Sequence, residues 1–282
     1  MRLYRLLLQL APVVRVSIAL ACASVGPSLG AQQATSNESH AIVIGSRREL
    51  FVDGLVVERL MGKAELRLHH PIPQEVAIAH DAPWEGNMSL YHSIFKDGDL
   101  YRMYYRAWQV TVTPQKVDTS AVPVMCYAES DDGIHWRKPE IGLHEFNGSK
   151  ANNIVLSSGS FGASDVRVEA TAVFKDANPH APSDSRYKAI FRATSPRGLV
   201  VFKSADGILW SLMSDAPVIT NGAFDSQNVV FWDKVRGEYR AYWRYFTEET
   251  EESRYKGIRD IRTATSRDLI TWSDSANLNY GD

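Results

Sequence analysis

Apolar and polar residues alternate along three stretches of the chain, which is the pattern of strands with one buried face. Each stretch has an apolar strand ending in Phe-x-Asp, then a turn, then a second strand of the form Tyr-(Arg/Lys)-x-x-(Tyr/Phe/Trp)-Arg. The three copies lie within residues 92–107, 171–193 and 228–245. The pattern therefore predicts three β-hairpins of one repeated type.

A third element follows each hairpin, and it reads SDDGIHW (130–136), SADGILW (204–210) and SRDLITW (266–272). Asp-Gly favours a tight turn, and the tryptophan after it can pack against a neighbouring sheet. Short antiparallel strands repeated in units of this length are typical of propeller blades. We therefore predict an all-β fold, a β-propeller of four-stranded antiparallel blades, with a β-sandwich as the alternative.

The repeats place the blades near residues 80–160, 161–220 and 221–282, with further strands from residues 41–75 beside the first blade. The chain ends ten residues after Trp272, inside the third of these units. We therefore expect an incomplete propeller of three to four blades from a truncated protein. An uncovered blade face predicts self-association, because large exposed apolar patches mark interfaces.

The first segment has the composition of a targeting signal. Residues 1–31 contain three arginines and no acidic residue, with an apolar run and then small residues before Gln32. This order predicts a signal peptide and a secreted or periplasmic protein, with no membrane association after cleavage. A membrane anchor is the alternative. Residues 32–46 are then a linker and residues 47–282 a partial β-propeller domain.

Charge and cysteine content exclude several classes of protein. Removal of residues 1–31 moves the net charge from −2 to −5, which argues against a nucleic-acid partner. Cys126 is then the only cysteine, so no intramolecular disulfide is available. The histidines at positions 69, 70 and 80 lack the spacing of zinc ligands, and we predict no metal and no cofactor.

The Ser-x-Asp-Gly-x-x-Trp turn, the YRMYYR strand (101–106) and the GAFDSQNVVFWD segment (222–233) resemble one family of proteins. They are similar to the secreted bacterial five-bladed β-propeller glycoside hydrolases related to families 32 and 43, which are invertase-like and arabinanase/xylosidase-like. The resemblance covers about residues 47–282. It implies hydrolysis of a poly- or oligosaccharide at the propeller axis by one ionised and one protonated carboxyl group.

The resemblance places catalytic carboxylates just upstream of each Phe-x-Asp position. In HDAPWEGNMS, Asp81 and Glu85 are the candidates for a general base or substrate clamp. Glu169 fits the general-acid segment of the family, except that threonine replaces a proline two residues later. Asp225 is the candidate in the third repeat. The Asn-Asp-Pro-Asn box of the invertase-like enzymes is absent.

Five further residues are candidates for substrate binding. We expect Trp84 to stack on a sugar ring, Gln227 and Asn228 to line the pocket, and Arg259 and Asp260 to bind sugar hydroxyls. For the cluster at Trp84 the alternative is a surface turn, and for Arg259 and Asp260 it is an exposed ion pair.

Two other functions remain open. One is a non-catalytic carbohydrate-binding propeller or an inactive truncated fragment. The other is a sialidase-type propeller, which requires a tyrosine nucleophile and three arginines that converge on a carboxylate. The repeated aspartates are interpreted as turn formers and the repeated arginines as structural; these are Asp97, Asp176, Asp233, Arg106, Arg192 and Arg244.

Overall fold

The computed structural model describes residues 42–45, 49–51, 54, 56–250 and 253–280. The predicted signal peptide therefore lies outside the described residues. The chain divides into two compact units, Met1–Ile72 and Pro73–Asp282. Among the described residues, no helix is long and apolar enough to cross a membrane.

The strands predicted for residues 41–75 are not found in the described part of that segment. Apolar and polar residues do alternate there, but Leu66 and Leu68 remain exposed. A strand of this type is stable only when its apolar side chains are buried against a second layer. The alternation at Leu66 and Leu68 is therefore a false indication of a sheet.

Fifteen strands form among the described residues, all between residues 90 and 277. They are β1 (Leu90–Asp97), β2 (Leu100–Ala107), β3 (Thr111–Val112), β4 (Val117–Asp118), β5 (Val124–Ser130), β6 (Ile154–Ser157), β7 (Gly159–Phe161), β8 (Ser164–Lys175), β9 (Tyr187–Ser195), β10 (Arg197–Ser204), β11 (Ser211–Leu212), β12 (Val229–Asp233), β13 (Glu238–Phe246), β14 (Arg259–Ser266) and β15 (Ala276–Asn277). One 3-10 turn, Ser183–Ser185, precedes β9.

These strands form three successive antiparallel sheets. Sheet I has the order β1-β2-β5-β6, sheet II the order β11-β10-β9-β8-β7, and sheet III the order β12-β13-β14-β15; β3 and β4 form a separate hairpin. The first hairpin strand of sheet II, β8, contacts both β1 and β12. The predicted all-β, propeller-like fold is confirmed.

The Ser-x-Asp-Gly segments form turns held by their own side chains. The Ser130 hydroxyl accepts a bond from the Gly133 N–H at 2.9 Å, and Asp132 accepts bonds from two further amides at 2.8 Å. The same bonds recur in the other two turns. Leu269 replaces the glycine of the third turn at a φ of +70°, and its side chain is buried in the core between sheets II and III.

Two apolar clusters fill the spaces between neighbouring sheets. The first joins sheets I and II, and Trp210 lies edge-on to Tyr104 across it at a ring distance of 6.0 Å. The second joins sheets II and III and includes Trp272. The predicted packing of Trp210 against a neighbouring sheet is confirmed. Trp136 instead packs on the opposite face of its own sheet I.

Candidate functional site

In sheets I and II, the strand that begins the hairpin has a shift in its pairing with the next strand. Both shifts lie beside the repeated arginine, Arg106 in sheet I and Arg192 in sheet II. In β1 the pairing shifts between Leu90 and Ser93, and in β8 it shifts between Arg167 and Ala172. Extra residues at such bulges re-aim side chains, and bulges are frequent beside active sites. Tyr91 in the first bulge also has a φ of +58°, an unusual conformation for a residue other than glycine.

Glu169 lies in the bulge of β8 and is surrounded by arginines. Its carboxylate contacts Arg192 at 2.8 Å and Arg167 at 3.5 Å. Arg106 from sheet I donates to the backbone carbonyl of Glu169 at 3.1 Å. The side chain keeps 12% of its surface exposed, so a solute can still reach this oriented carboxylate.

Asp225 precedes β12 and forms an ion pair with Arg244. Arg244 of sheet III and Arg192 of sheet II hold equivalent places in the repeat, so each carboxylate is held by the same position of its own hairpin. The Gln227 side chain donates to the Thr171 carbonyl at 3.0 Å. This bond joins the Asp225 segment to the strand that carries Glu169, which brings the second and third repeats together at one end of their first strands.

Gln227 and Asn228, which we expected to line the pocket, form hydrogen bonds that do not fit this role. Asn228 is buried and donates to the Phe224 and Ser226 carbonyls, at 3.1 and 2.9 Å. Gln227 is bonded to Thr171, as described above. Both side chains therefore hold the backbone before β12, because a buried segment outside a strand needs partners for its peptide groups.

Glu85 is fully buried, and this corrects its expected role as a base or clamp. Its carboxylate accepts from Tyr105 at 2.5 Å, from Lys138 at 2.6 Å and from the Ala82 N–H at 2.8 Å. Burial raises the pKa of the carboxyl, but hydrogen bonds from His80, Lys138 and Tyr105 outweigh it and lower the pKa to about 2. Glu85 is a structural anion that no substrate reaches in this structure.

Asp81 and Trp84 lie near Glu85 but differ in environment. The Asp81 side chain is 81% exposed and only touches Lys138 at 3.3 Å. Trp84 donates its ring N–H to Asn153 at 2.6 Å and lines a cavity of about 270 Å³ together with Trp108 and Phe146. Trp84 therefore contributes an aromatic surface to this cavity, and its stacking on a sugar ring stays a prediction.

Arg259 and Asp260 begin β14, opposite the end of β13. Asp260 accepts from the Tyr245 hydroxyl at 3.2 Å and from the Ile261 N–H at 2.7 Å. The Arg259 guanidinium lies 5.9 Å from the centre of the Phe246 ring. Neither residue contacts Glu169 or Asp225 among the interactions of the described chain, so their sugar-binding role stays a prediction.

Two of the repeated arginines hold the candidate carboxylates, a role that their repeat position alone did not predict. Arg192 binds Glu169 and Arg244 binds Asp225. The Arg106 guanidinium lies 5.1 Å from the centre of the Tyr91 ring and 5.3 Å from that of Trp108. The recurrence of arginine at one place in all three hairpins was the available signal. Among the described residues, no group of three His, Cys, Asp or Glu side chains is arranged to hold a metal ion.

A comparison with protein families and with curated proteins finds no match. Similar solved structures include a family 32 β-fructofuranosidase of Bombyx mori, at 16% identity over 67% of this chain and 38% of that chain, with a TM-score of 0.41. A fructofuranosidase of Schwanniomyces occidentalis complexed with fructose matches at 18% identity over 72% of this chain and 36% of that chain, with a TM-score of 0.44.

A glycosyl hydrolase of Bacteroides ovatus matches at 14% identity over 66% of this chain and 50% of its own, with a TM-score of 0.40. The chain thus spans between 36% and 50% of the length of these three proteins. Family 32, which the turn and strand motifs resemble, is represented among the matches. The likeness is one of fold.

Proposed function

We propose that this chain belongs to an exported glycoside hydrolase that uses Glu169 and Asp225 as its two carboxyl groups. The observation that carries the proposal is the paired geometry of these residues. Each carboxylate is held by the arginine at the same repeat position, and the Gln227–Thr171 bond ties their segments together. Glycosidic hydrolysis requires two carboxyl groups that flank the scissile bond, and Glu169 in β8 and Asp225 before β12 are the two that are held in this way.

In the proposed reaction, one carboxyl group gives its proton to the glycosidic oxygen while the bond from that oxygen to the anomeric carbon breaks. The other acts as the base or nucleophile, and water supplies the oxygen that remains on the anomeric carbon. We assign the acid to Glu169, because its segment resembles the general-acid segment of the family, and the second role to Asp225. The substrate is a poly- or oligosaccharide.

The test is a kinetic comparison of Glu169→Gln and Asp225→Asn on natural oligosaccharides, including sucrose, and on 4-nitrophenyl glycosides. Loss of a general acid costs roughly 10²- to 10⁴-fold, but nitrophenolate leaves without protonation. Glu169→Gln should therefore lose much more activity on the natural substrates than on the aryl glycosides, whereas Asp225→Asn should lose both.

Asp184→Asn is the matched control, because Asp184 is an exposed carboxylate that pairs with a lysine, Lys203, and not with an arginine. It should retain turnover within about threefold. Unchanged turnover of Glu169→Gln and Asp225→Asn on every substrate would contradict the proposal.

A second candidate, a non-catalytic carbohydrate-binding protein, is favoured by the cavity at Trp84. Two tryptophans and a phenylalanine line it, with His144 and Glu145 as polar groups, and aromatic faces suit the apolar faces of sugar rings. If the wild-type chain binds oligosaccharides in calorimetry without turning any over, and Trp84→Ala abolishes the binding, this function replaces the hydrolase.

A further inference from the structure

The repeated arginine lies beside an irregular segment in all three sheets. Next to Arg106, Arg192 and Arg244, the chain that leads into the regular pairing of the hairpin leaves the ladder for a few residues. These segments are residues 91–92 in sheet I, 168–171 in sheet II and 224–228 in sheet III. Each arginine is therefore placed to bind a side chain from the segment beside it.

The segment of sheet I differs from the other two in its chemistry. In sheets II and III the segment supplies a carboxylate that binds its arginine, as described above. In sheet I the segment consists of Tyr91 and His92 and has no acidic residue. Arg106 accordingly forms no ion pair with a described residue, although its two counterparts each have one.

Arg106 is also a buried cation. Only 5% of its surface is exposed. Its Nε and Nη1 donate to the backbone carbonyls of Met88 and Glu169, both at 3.1 Å, whereas the buried Nη2 has no hydrogen-bond partner in the described chain. Burial lowers the pKa of this guanidinium, and attraction from Tyr91 and Glu169 does not offset the effect. A buried cation without an anion is costly, so this position favours an anionic partner.

The surroundings of Arg106 come from two sheets that both belong to the described chain. Tyr104, two residues earlier in β2, donates to the Gly207 carbonyl of sheet II at 3.0 Å. Arg106 lies on the same face of sheet I, and its bond to the Glu169 carbonyl reaches β8 of sheet II. The missing partner is therefore not a consequence of an uncovered sheet face.

Positive charge exceeds negative charge around Glu169. Arg167 lies 3.5 Å from the Glu169 carboxylate and keeps 31% of its side chain exposed. The guanidinium groups of Arg106 and Arg167 lie 5.3 and 6.0 Å from the centre of the Trp108 ring. With Arg192, three guanidinium groups contact one acidic residue, which leaves room for a second anion. Arginine binds oxyanions through parallel N–H groups of its planar fork.

We propose that the site beside Glu169 accepts an acidic saccharide, whose carboxylate or sulfate group binds Arg106 and Arg167. The ligand anion takes the place at Arg106 that a carboxylate of the chain takes at the two equivalent arginines. The Tyr91 ring lies 5.1 Å from the Arg106 guanidinium and is only partly buried, so rotation of this ring admits the anion. The inference rests on the proposed function only in placing a sugar beside Glu169, and it adds the class of substrate.

The test measures binding rather than turnover. The wild-type chain is applied to an array of matched saccharides, which pairs uronic acid oligosaccharides with their methyl esters and sulfated oligosaccharides with their desulfated forms. Calorimetric titration of the pair that binds best then gives both dissociation constants. We expect the acidic member to bind at least about tenfold more tightly than its neutral counterpart. The uronate pairs report on a carboxylate, and the sulfated pairs report on a sulfate.

Two variants assign the preference to the arginines. Arg106→Gln and Arg167→Gln should each weaken binding of the acidic member at least about tenfold and leave the neutral member unchanged. Arg167→Gln keeps the test decisive if Arg106→Gln does not fold, because Arg167 is partly exposed; circular dichroism checks both. Arg137→Gln is the matched control, since Arg137 of sheet I already pairs with Glu129 and Asp131, and it should bind like the wild type.

Equal binding of the two members of every pair would overturn the proposal, and so would the absence of binding to any saccharide. An acidic preference that survives in both folded variants would also overturn it. Binding of an acidic saccharide that the chain does not hydrolyse would contradict the proposed function and support this inference. Turnover that depends on Glu169 without any acidic preference would contradict this inference alone.

Discussion

The backbone at Gly86 lies directly against the carbonyl of Trp108. A Cβ atom at Gly86 would be 2.5 Å from the Trp108 oxygen, and the residue has a φ of +63°. The Met88 N–H donates to the same carbonyl at 3.0 Å, and the backbone N–H of Trp108 donates to the backbone carbonyl of Glu85 at 3.1 Å. This close approach fixes the segment that carries Trp84 and Glu85 to the end of β2.

Gly86→Ala should therefore destabilise the protein by about 2–5 kcal/mol, the sum of a left-handed conformation and an overpacked contact. Gly98→Ala is the matched control, because Gly98 has a φ of +65° and open space around its Cα. Its cost should be about 1 kcal/mol, from the backbone alone. Urea unfolding of both variants measures the difference, and equal costs would contradict the close approach.

Glu85 predicts a specific acid sensitivity. Its folded pKa of about 2 lies below its ordinary value of 4.5, so its contribution to stability is complete above pH 4.5. That contribution is lost as the pH falls from about 4.5 towards 2, because the unfolded state then binds the proton more readily. The free energy of unfolding of the wild-type chain should fall more steeply between pH 6 and pH 3 than that of Glu85→Gln.

Asp81→Asn provides the comparison for this slope, since Asp81 is exposed and close to the same lysine. Its unfolding free energy should follow the wild-type pH dependence. Urea titrations at pH 6, 4.5 and 3 measure all three proteins. Identical pH slopes for the wild type and Glu85→Gln would show that the buried network does not hold the carboxylate ionised.

Local patterns predicted the hairpins because their causes are local. The alternation in β13 buries Tyr239, Ala241 and Trp243 on one side of the strand. The serine and aspartate of each turn bond amides within three residues. Leu269 shows the limit of such rules, since a leucine occupies a positive φ where the other two turns have glycine. Its burial between two sheets offsets that strain, and no local pattern reveals this burial.

The predicted site was only partly recognisable because its contacts are long-range. Glu85 stood in an acidic and aromatic cluster typical of a binding turn, but Lys138, 53 residues away, buries and neutralises it. Asp97 had the position of a turn former, yet its partner Tyr187 is 90 residues further along. In both cases the residue type indicated a carboxylate with polar partners. Only the packing of the sheets determines which partners it has.

Removal of the Tyr187 hydroxyl, which donates to Asp97, should cost stability. Tyr187→Phe leaves the Asp97 carboxylate with Arg102 of its own sheet and Lys175 of β8 but removes its bond from β9. A hydrogen bond to a charged group contributes about 1.5–3 kcal/mol, so we expect a loss of that size in urea unfolding. Tyr280→Phe, at an exposed tyrosine, should change stability by less than about 0.5 kcal/mol. Equal effects of the two variants would contradict this contribution of the Tyr187–Asp97 bond.

The Arg192–Glu169 contact predicts that catalysis is impaired even by a substitution that keeps the positive charge at position 192. Arg192→Lys retains a cation but loses the planar fork that orients a carboxylate. If Glu169 acts in the reaction, kcat should fall about tenfold or more with a KM within about threefold, because misplacing a reacting group affects the transition state more than substrate binding. This change in kcat is the expected result of the measurement.

Arg186→Lys is the matched control, since Arg186 is exposed and directly precedes β9, the strand that carries Arg192. This variant should have the wild-type kcat. Thermal unfolding of both variants excludes a general loss of structure. A kcat of Arg192→Lys equal to the wild-type value would mean that the orientation of Glu169 by this arginine does not matter for turnover.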